Sequence, residues 1–126
     1  MIETKLLKKY LPIVYHCITE FVDEDKTARG VKDAIHVIDG IIKNKNKFNL
    51  ILEVKPKSNS NTKYNMAAHR IWAVGFKENE KVIRNVIKIA VVGADSLKFR
   101  GEKEYMETEN VKYFYKLEEA RIWVKS

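Results

Sequence analysis

The run Val86-Ile87-Lys88-Ile89-Ala90-Val91-Val92-Gly93 constrains this chain more than any other segment. An almost unbroken apolar stretch of strand length needs cover on both faces, and a parallel sheet flanked by helices supplies it. Further strand signals surround it. Residues 13–21, opened by Pro12, are rich in β-branched and aromatic side chains. Phe48-Asn49-Leu50-Ile51-Leu52-Glu53-Val54 is apolar and is stopped by Pro56, and Val111-Lys112-Tyr113-Phe114-Tyr115 is a last strand. Residues 2–7 read as a short extended start.

Between these runs the period changes. Ala28, Val31, Ile35, Ile38 and Ile42 recur every three or four residues, one apolar face of a helix with Asp25 as its expected N-cap. A second helix is predicted over 63–84, capped by Ser60, Asn61 or Thr62. It carries Met66, Ala67, Ile71, Trp72, Val74 and Phe76, and Gly75 costs it about 1 kcal/mol of propensity. A third is expected from Asp95 or Ser96 to Met106, and a short fourth over 117–124. Strands and helices therefore alternate, which predicts a layered α/β fold. The expectation is one domain over 1–126. Its largely parallel or mixed sheet has four or five strands, with about four helices mainly on one face. At 126 residues, 45% of them hydrophobic, one core suffices without a staple.

The lone Cys17 excludes an intramolecular disulfide and fits a reducing compartment. No apolar run approaches the roughly 20 residues of a membrane helix, and residues 1–9 are charged rather than signal-like. A soluble cytoplasmic protein, not membrane-spanning, is expected. Net charge is +7, and six Lys stand against Glu53 between Lys43 and Lys63. Such a patch attracts anions. Nucleic acid is nevertheless not the expected partner, because the patch's loop offers neither aromatics nor Arg for stacking on bases.

The second half carries a likeness. Ile89-Ala90-Val91-Val92-Gly93-Ala94-Asp95, a helix, Val111-Lys112-Tyr113-Phe114 and then Glu119-Ala120-Arg121-Ile122-Trp123-Val124 follow one another. This succession resembles the STAS-like family: small bacterial relatives of the sporulation anti-sigma-factor antagonist, also likened to CRAL-TRIO lipid-transfer domains. The element order of nearly the whole chain agrees, while the specific motifs lie in about its last third. They are packing motifs: Ala120 is small where the terminal helix meets the sheet, and Phe114 and Trp123 fill the gap beside it. The resemblance implies a mixed sheet of four or five strands and a binding or regulatory role without catalysis. It also implies, in signalling members, a phosphorylated Ser at the start of the second helix. Ser58 and Ser60 lie in the corresponding loop, but neither stands in an Asp-Ser-Ser-Gly-type turn.

Two groups of residues are candidates for contact with a ligand or partner. Lys57, Ser58, Ser60 and Lys63 lie at the carboxyl end of a central strand, before a helix start, where an anion would find donors. No glycine-rich cradle accompanies them. Trp72 and Phe76 share one helical face. With Met66, Leu97 and Phe99 they are placed to wall an apolar pocket or a dimer face, against the plainer reading of ordinary core. A helix apolar on several sides needs a second burial surface, from a partner subunit or an amphipathic ligand. His16, His36 and His69 lie on three elements without metal-ligand spacing, and Cys17 faces away from His16. No acid–base or nucleophile–base pair can be assembled from local spacing, and no cofactor is called for. The expectation is a non-enzymatic domain acting through protein–protein contact, as a homodimer or with another protein. Its rival is a small binding module for a lipid-like or other amphipathic anion.

Overall fold

The computed structural model describes residues 2–7, 12–19, 21–44, 46–55, 65–93, 103–104 and 106–126. Its strands are β1 (Ile2–Leu7), β2 (Ile13–Ile18), β3 (Phe48–Val54), β4 (Val86–Val92) and β5 (Val111–Phe114). They form one sheet in chain order, with β2 to β5 parallel and β1 antiparallel along the β2 edge. The layered α/β fold expected from the alternation is therefore present, with a mixed five-stranded sheet.

Helices α1 (Glu24–Lys43), α2 (Met66–Lys77) and α3 (Glu80–Asn85) lie on one face, and α4 (Leu117–Lys125) covers the other. Alternation along each strand serves both layers. Val14, Ile18, Leu50, Leu52 and Val91 turn toward α1 and α2, while Ile13, Tyr15, Cys17, Ile51, Ala90 and Val92 turn toward α4. Of the three inner strands, β2 and β3 are thus buried on both faces, as their apolar runs require, while β4 is fully buried only over its last three residues, Ala90, Val91 and Val92.

Several boundaries differ from the sequence expectation. The first strand run stops at Ile18 rather than reaching Phe21. The N-cap of α1 is Asp23, not Asp25: its carboxylate accepts the Lys26 N–H at 2.9 Å. Glu24 and Asp25 then fall in the first turn, where their charge suits the helix dipole. The helix predicted over 63–84 is two helices. Asn65, and not Ser60, Asn61 or Thr62, caps α2 by accepting the Ala68 N–H at 3.1 Å, and Asn79 caps α3. Asn65 also donates its backbone N–H to Phe21 O at 2.7 Å, tying the start of α2 to the connection between β2 and α1.

Gly75 does not break α2. Burying Trp72 and Phe76 contributes about 1.5–3 kcal/mol each, more than the glycine costs. Gly75 instead lets α1 come close: a Cβ there would lie 2.7 Å from Val31 Cγ1. The second burial surface that α2 needs is therefore supplied within the chain, by α1. Most of the helix expected over 95–106 lies outside the described residues; positions 103, 104 and 106 are helical.

Candidate ligand pocket

The α1–α2 face of the sheet contains an apolar cavity of about 180 Å³. Its floor follows from the strand period: Leu52 on β3, Ile89 and Val91 on β4, and Val111 and Tyr113 on β5 all point to the same side. Parallel register sets Ile89 beside Val111 and Val91 beside Tyr113, so the floor is continuous. Helix α2 supplies the wall through Trp72, Ala73, Phe76 and Lys77, and Met106 and Thr108 close the rim.

Trp72 is almost fully buried, yet its indole Nε1–H finds no hydrogen-bond acceptor among the described residues. The ring sits among aromatics. Its centroid is 5.5 Å from Phe21, 6.3 Å from Phe76, 6.1 Å from His69 and 6.5 Å from His16. His16 is wholly buried, and burial lowers its pKa to about 4, so the imidazole is neutral at pH 7. At the rim the Lys77 ammonium lies 3.5 Å from Met106 Sδ, a weak acceptor. The Thr108 hydroxyl already accepts from the backbone N–H groups of Asn110 and Val111, which shapes the turn into β5.

The structure separates the residues singled out from sequence. Trp72 and Phe76 line the cavity together, as their spacing of four suggests. Met66 does not join them: it stands on the outer side of α2 and is 60% exposed. Phe99 and Leu97 lie outside the described residues, as do Lys57, Ser58, Ser60 and Lys63 with the whole basic loop. Lys55, just before that loop, holds its ammonium 3.9 Å from the Glu53 carboxylate. His16 and His69 both meet the Trp72 ring, His36 is exposed on α1, and no metal-holding cluster occurs among the described residues.

Sequence reasoning missed a pair on the opposite face. The Tyr15 hydroxyl donates to Glu53 Oε1, and both side chains are buried. They stand 38 residues apart and meet because parallel register sets β2 beside β3. Burial first, then the bond to Glu53, raises the Tyr15 pKa far above that of an ordinary phenol, so the hydroxyl stays protonated and keeps its proton for Glu53. The Cys17 thiol lies buried beside them, turned away from His16 as alternation predicts. The pair satisfies a polar atom set within the second core.

Comparison with protein-family models, curated proteins and solved structures finds no match to this chain. No helix among the described residues is long and apolar enough to cross a membrane.

Proposed function

We propose that this chain is a binding module, STAS-like in kind and without catalysis, that takes a small amphipathic ligand in the pocket beside α2. The observation that carries this reading is the cavity itself, walled by Trp72 and Phe76 and floored by three parallel strands. Cavities of about 150 Å³ with apolar walls stay dry and admit benzene, so a space of 180 Å³ is large enough to matter. Catalysis asks for converging titratable groups. Among the described residues the wall brings only Lys77 and Tyr113 as titratable side chains, which supports binding over reaction. The likeness to STAS-like domains fits the same reading, since it implies a binding or regulatory role on a sheet of this layout.

The test is a titration of the full chain with toluene, followed by NMR, in the wild type and in Ala73→Leu. Ala73 lines the cavity and is only partly buried, so the larger side chain fills space rather than displacing core. Shifts confined to the α2, β4 and β5 residues, lost in the filled variant, are expected. Absence of binding in the wild type, or equal binding in both, refutes the reading.

A second reading, contact with another protein or with a second copy, has its own observation. Met66 and Val74 on α2 and Ile83 on α3 are large apolar side chains left exposed. Sedimentation of the wild type and of Ile83→Glu tests self-association; a monomer at all concentrations removes the homodimer.

A further inference from the structure

The sheet ends in two strands, β1 and β5, and the chain treats their outer edges differently. The side of a strand that meets no neighbour presents its N–H and C=O groups to any strand able to pair with them. On β5 those groups are answered locally. Asn110 O and Phe114 O accept from Ile89 N and Gly93 N on the β4 side, so Val111 and Tyr113 present theirs outward. Thr108 Oγ1 accepts the Val111 N–H at 3.1 Å, and Thr108 N donates to Val111 O at 2.9 Å. The Glu107 carboxylate accepts the Tyr113 N–H at 3.1 Å. The turn before β5 thus blocks the edge it leads into.

Strand β1 is longer, six residues against four, and pairs antiparallel with β2 along one side. Among the described residues no such clip lies along its other side. Its sequence, Ile2-Glu3-Thr4-Lys5-Leu6-Leu7, decides what can pair there. A two-fold axis normal to the sheet sets β1 antiparallel to the same strand of a second copy. In an antiparallel ladder, directly opposed residues are both hydrogen-bonded or both not, and only every second residue of an edge strand faces outward. Opposed positions therefore differ by an even number, and one residue must face itself. Centring on Thr4 or Lys5 overlaps five residues of β1 from each copy, whereas centring on Glu3 or Leu6 overlaps only three. Lys5 or Glu3 at the centre opposes like charges, which is destabilising. Thr4 at the centre sets Glu3 opposite the partner's Lys5 and Lys5 opposite the partner's Glu3. A lysine on an edge ordinarily deters pairing. Here the glutamate two residues earlier answers it, in this register alone.

We infer that β1 is a self-recognition edge, through which two copies of this chain join, centred on Thr4, into one continuous sheet. Main-chain hydrogen bonds supply the affinity, and the crossed Glu3 and Lys5 charges supply the register. The contact is separate from the apolar side chains exposed on α2 and α3, and it stands whether or not the pocket takes a ligand.

Sedimentation of the full chain between about 1 μM and 1 mM tests this. The samples beside the wild type are Glu3→Lys, Lys5→Glu, the chain carrying both, and an equimolar mixture of the two single variants. The wild type is expected to dimerise. Each single variant puts like charges at both symmetry-related pairs, so its dimer should weaken about tenfold. Exchanging both charges in one chain returns opposite signs to each pair and should restore the dimer. The mixture should do the same, because one variant then faces the other with every opposed pair of opposite sign. That recovery also shows that both variants are folded. Ile83→Glu should leave the dimer intact. A wild type that stays monomeric throughout overturns the inference. So does a dimer that ignores the strand charges, one that Ile83→Glu abolishes, or one that the double exchange or the mixture fails to restore.

Discussion

The Asn49 side-chain oxygen accepts the backbone N–H of Lys88 at 3.2 Å, at the place where the register between β3 and β4 shifts. Phe48 pairs with Val86 but Leu50 pairs with Ile89, so β4 carries one residue more than β3 there. Such a bulge leaves a ladder group open, and the asparagine answers it. Its amide nitrogen donates in turn to Val124 O at 2.9 Å, securing the last turn of α4. Lys88 reinforces that end: its ammonium reaches Trp123 O at 3.0 Å and lies 5.2 Å from the centre of the Trp123 ring. Asn49→Ala is expected to cost about 1–3 kcal/mol in urea denaturation, since it strands a donor and an acceptor together. Hydrogen exchange should quicken most in α4.

Removing the donor from the buried Tyr15–Glu53 pair takes that hydrogen bond from the carboxylate and leaves it the longer contact with exposed Lys55. Tyr15→Phe is therefore expected to destabilise by about 1–3 kcal/mol, and Tyr15→Phe with Glu53→Leu by less than Tyr15→Phe alone. The raised Tyr15 pKa has a defined sign. The unfolded chain ionises this phenol near its ordinary value of 10.0 and the fold does not, so stability is fully present below that pH and declines above it. Ultraviolet titration of the wild type against Tyr15→Phe should show that Tyr15 ionises only when the protein unfolds.

Burial lowers His16 from 6.5 to about 4. Between these values the unfolded chain binds a proton that the fold refuses, so stability is complete above pH 6.5 and falls as pH drops toward 4. The displacement corresponds to on the order of 3 kcal/mol across that window. Comparing wild type with His16→Leu by urea denaturation at pH 4 and pH 7 isolates this contribution from that of the carboxylates. A His16 ring proton that titrates near 6.5 in the folded state would disprove it.

Two glycines in helices should respond to the same change with opposite sign. At Gly40 on α1 an added Cβ meets nothing within 4 Å, so Gly40→Ala is expected to stabilise by about 0.5–1 kcal/mol. At Gly75 the Cβ would press on Val31, a branched side chain that cannot swing aside. Gly75→Ala should cost about 1–3 kcal/mol, and Val31→Ala in the same chain should recover part of it, as a thermal double-mutant cycle will show.

How far the sequence could be read depended on whether a signal was local. The β4 run and the stripe of Val31, Ile35, Ile38 and Ile42 announce their elements because burial imposes a period on neighbouring residues. Asp23 and Asp25 were harder to tell apart, since either aspartate can cap and only the turn geometry decides. The break between α2 and α3 was hidden because Lys77 and Glu78 are sound helix formers, while Gly75 drew attention to the wrong place. Trp72 and Phe76 were legible as a pair at helical spacing. The floor beneath them was not, because Ile89 meets Val111 only through strand register. Tyr15 and Glu53 were invisible for the same reason, each an ordinary member of its own strand.

A sheet whose strands follow one another in chain order has a consequence for how the molecule comes into being. Each strand, as it leaves the ribosome, finds its only earlier neighbour already made, and no later strand must be inserted between two finished ones. The exception is the second layer. Its helix follows the whole sheet along the chain and must reach back 75 residues, from Val124 to Asn49, so final locking waits until that helix has been made. A nascent chain held before α4 is complete would expose that greasy side of the sheet, and chaperones would find it there.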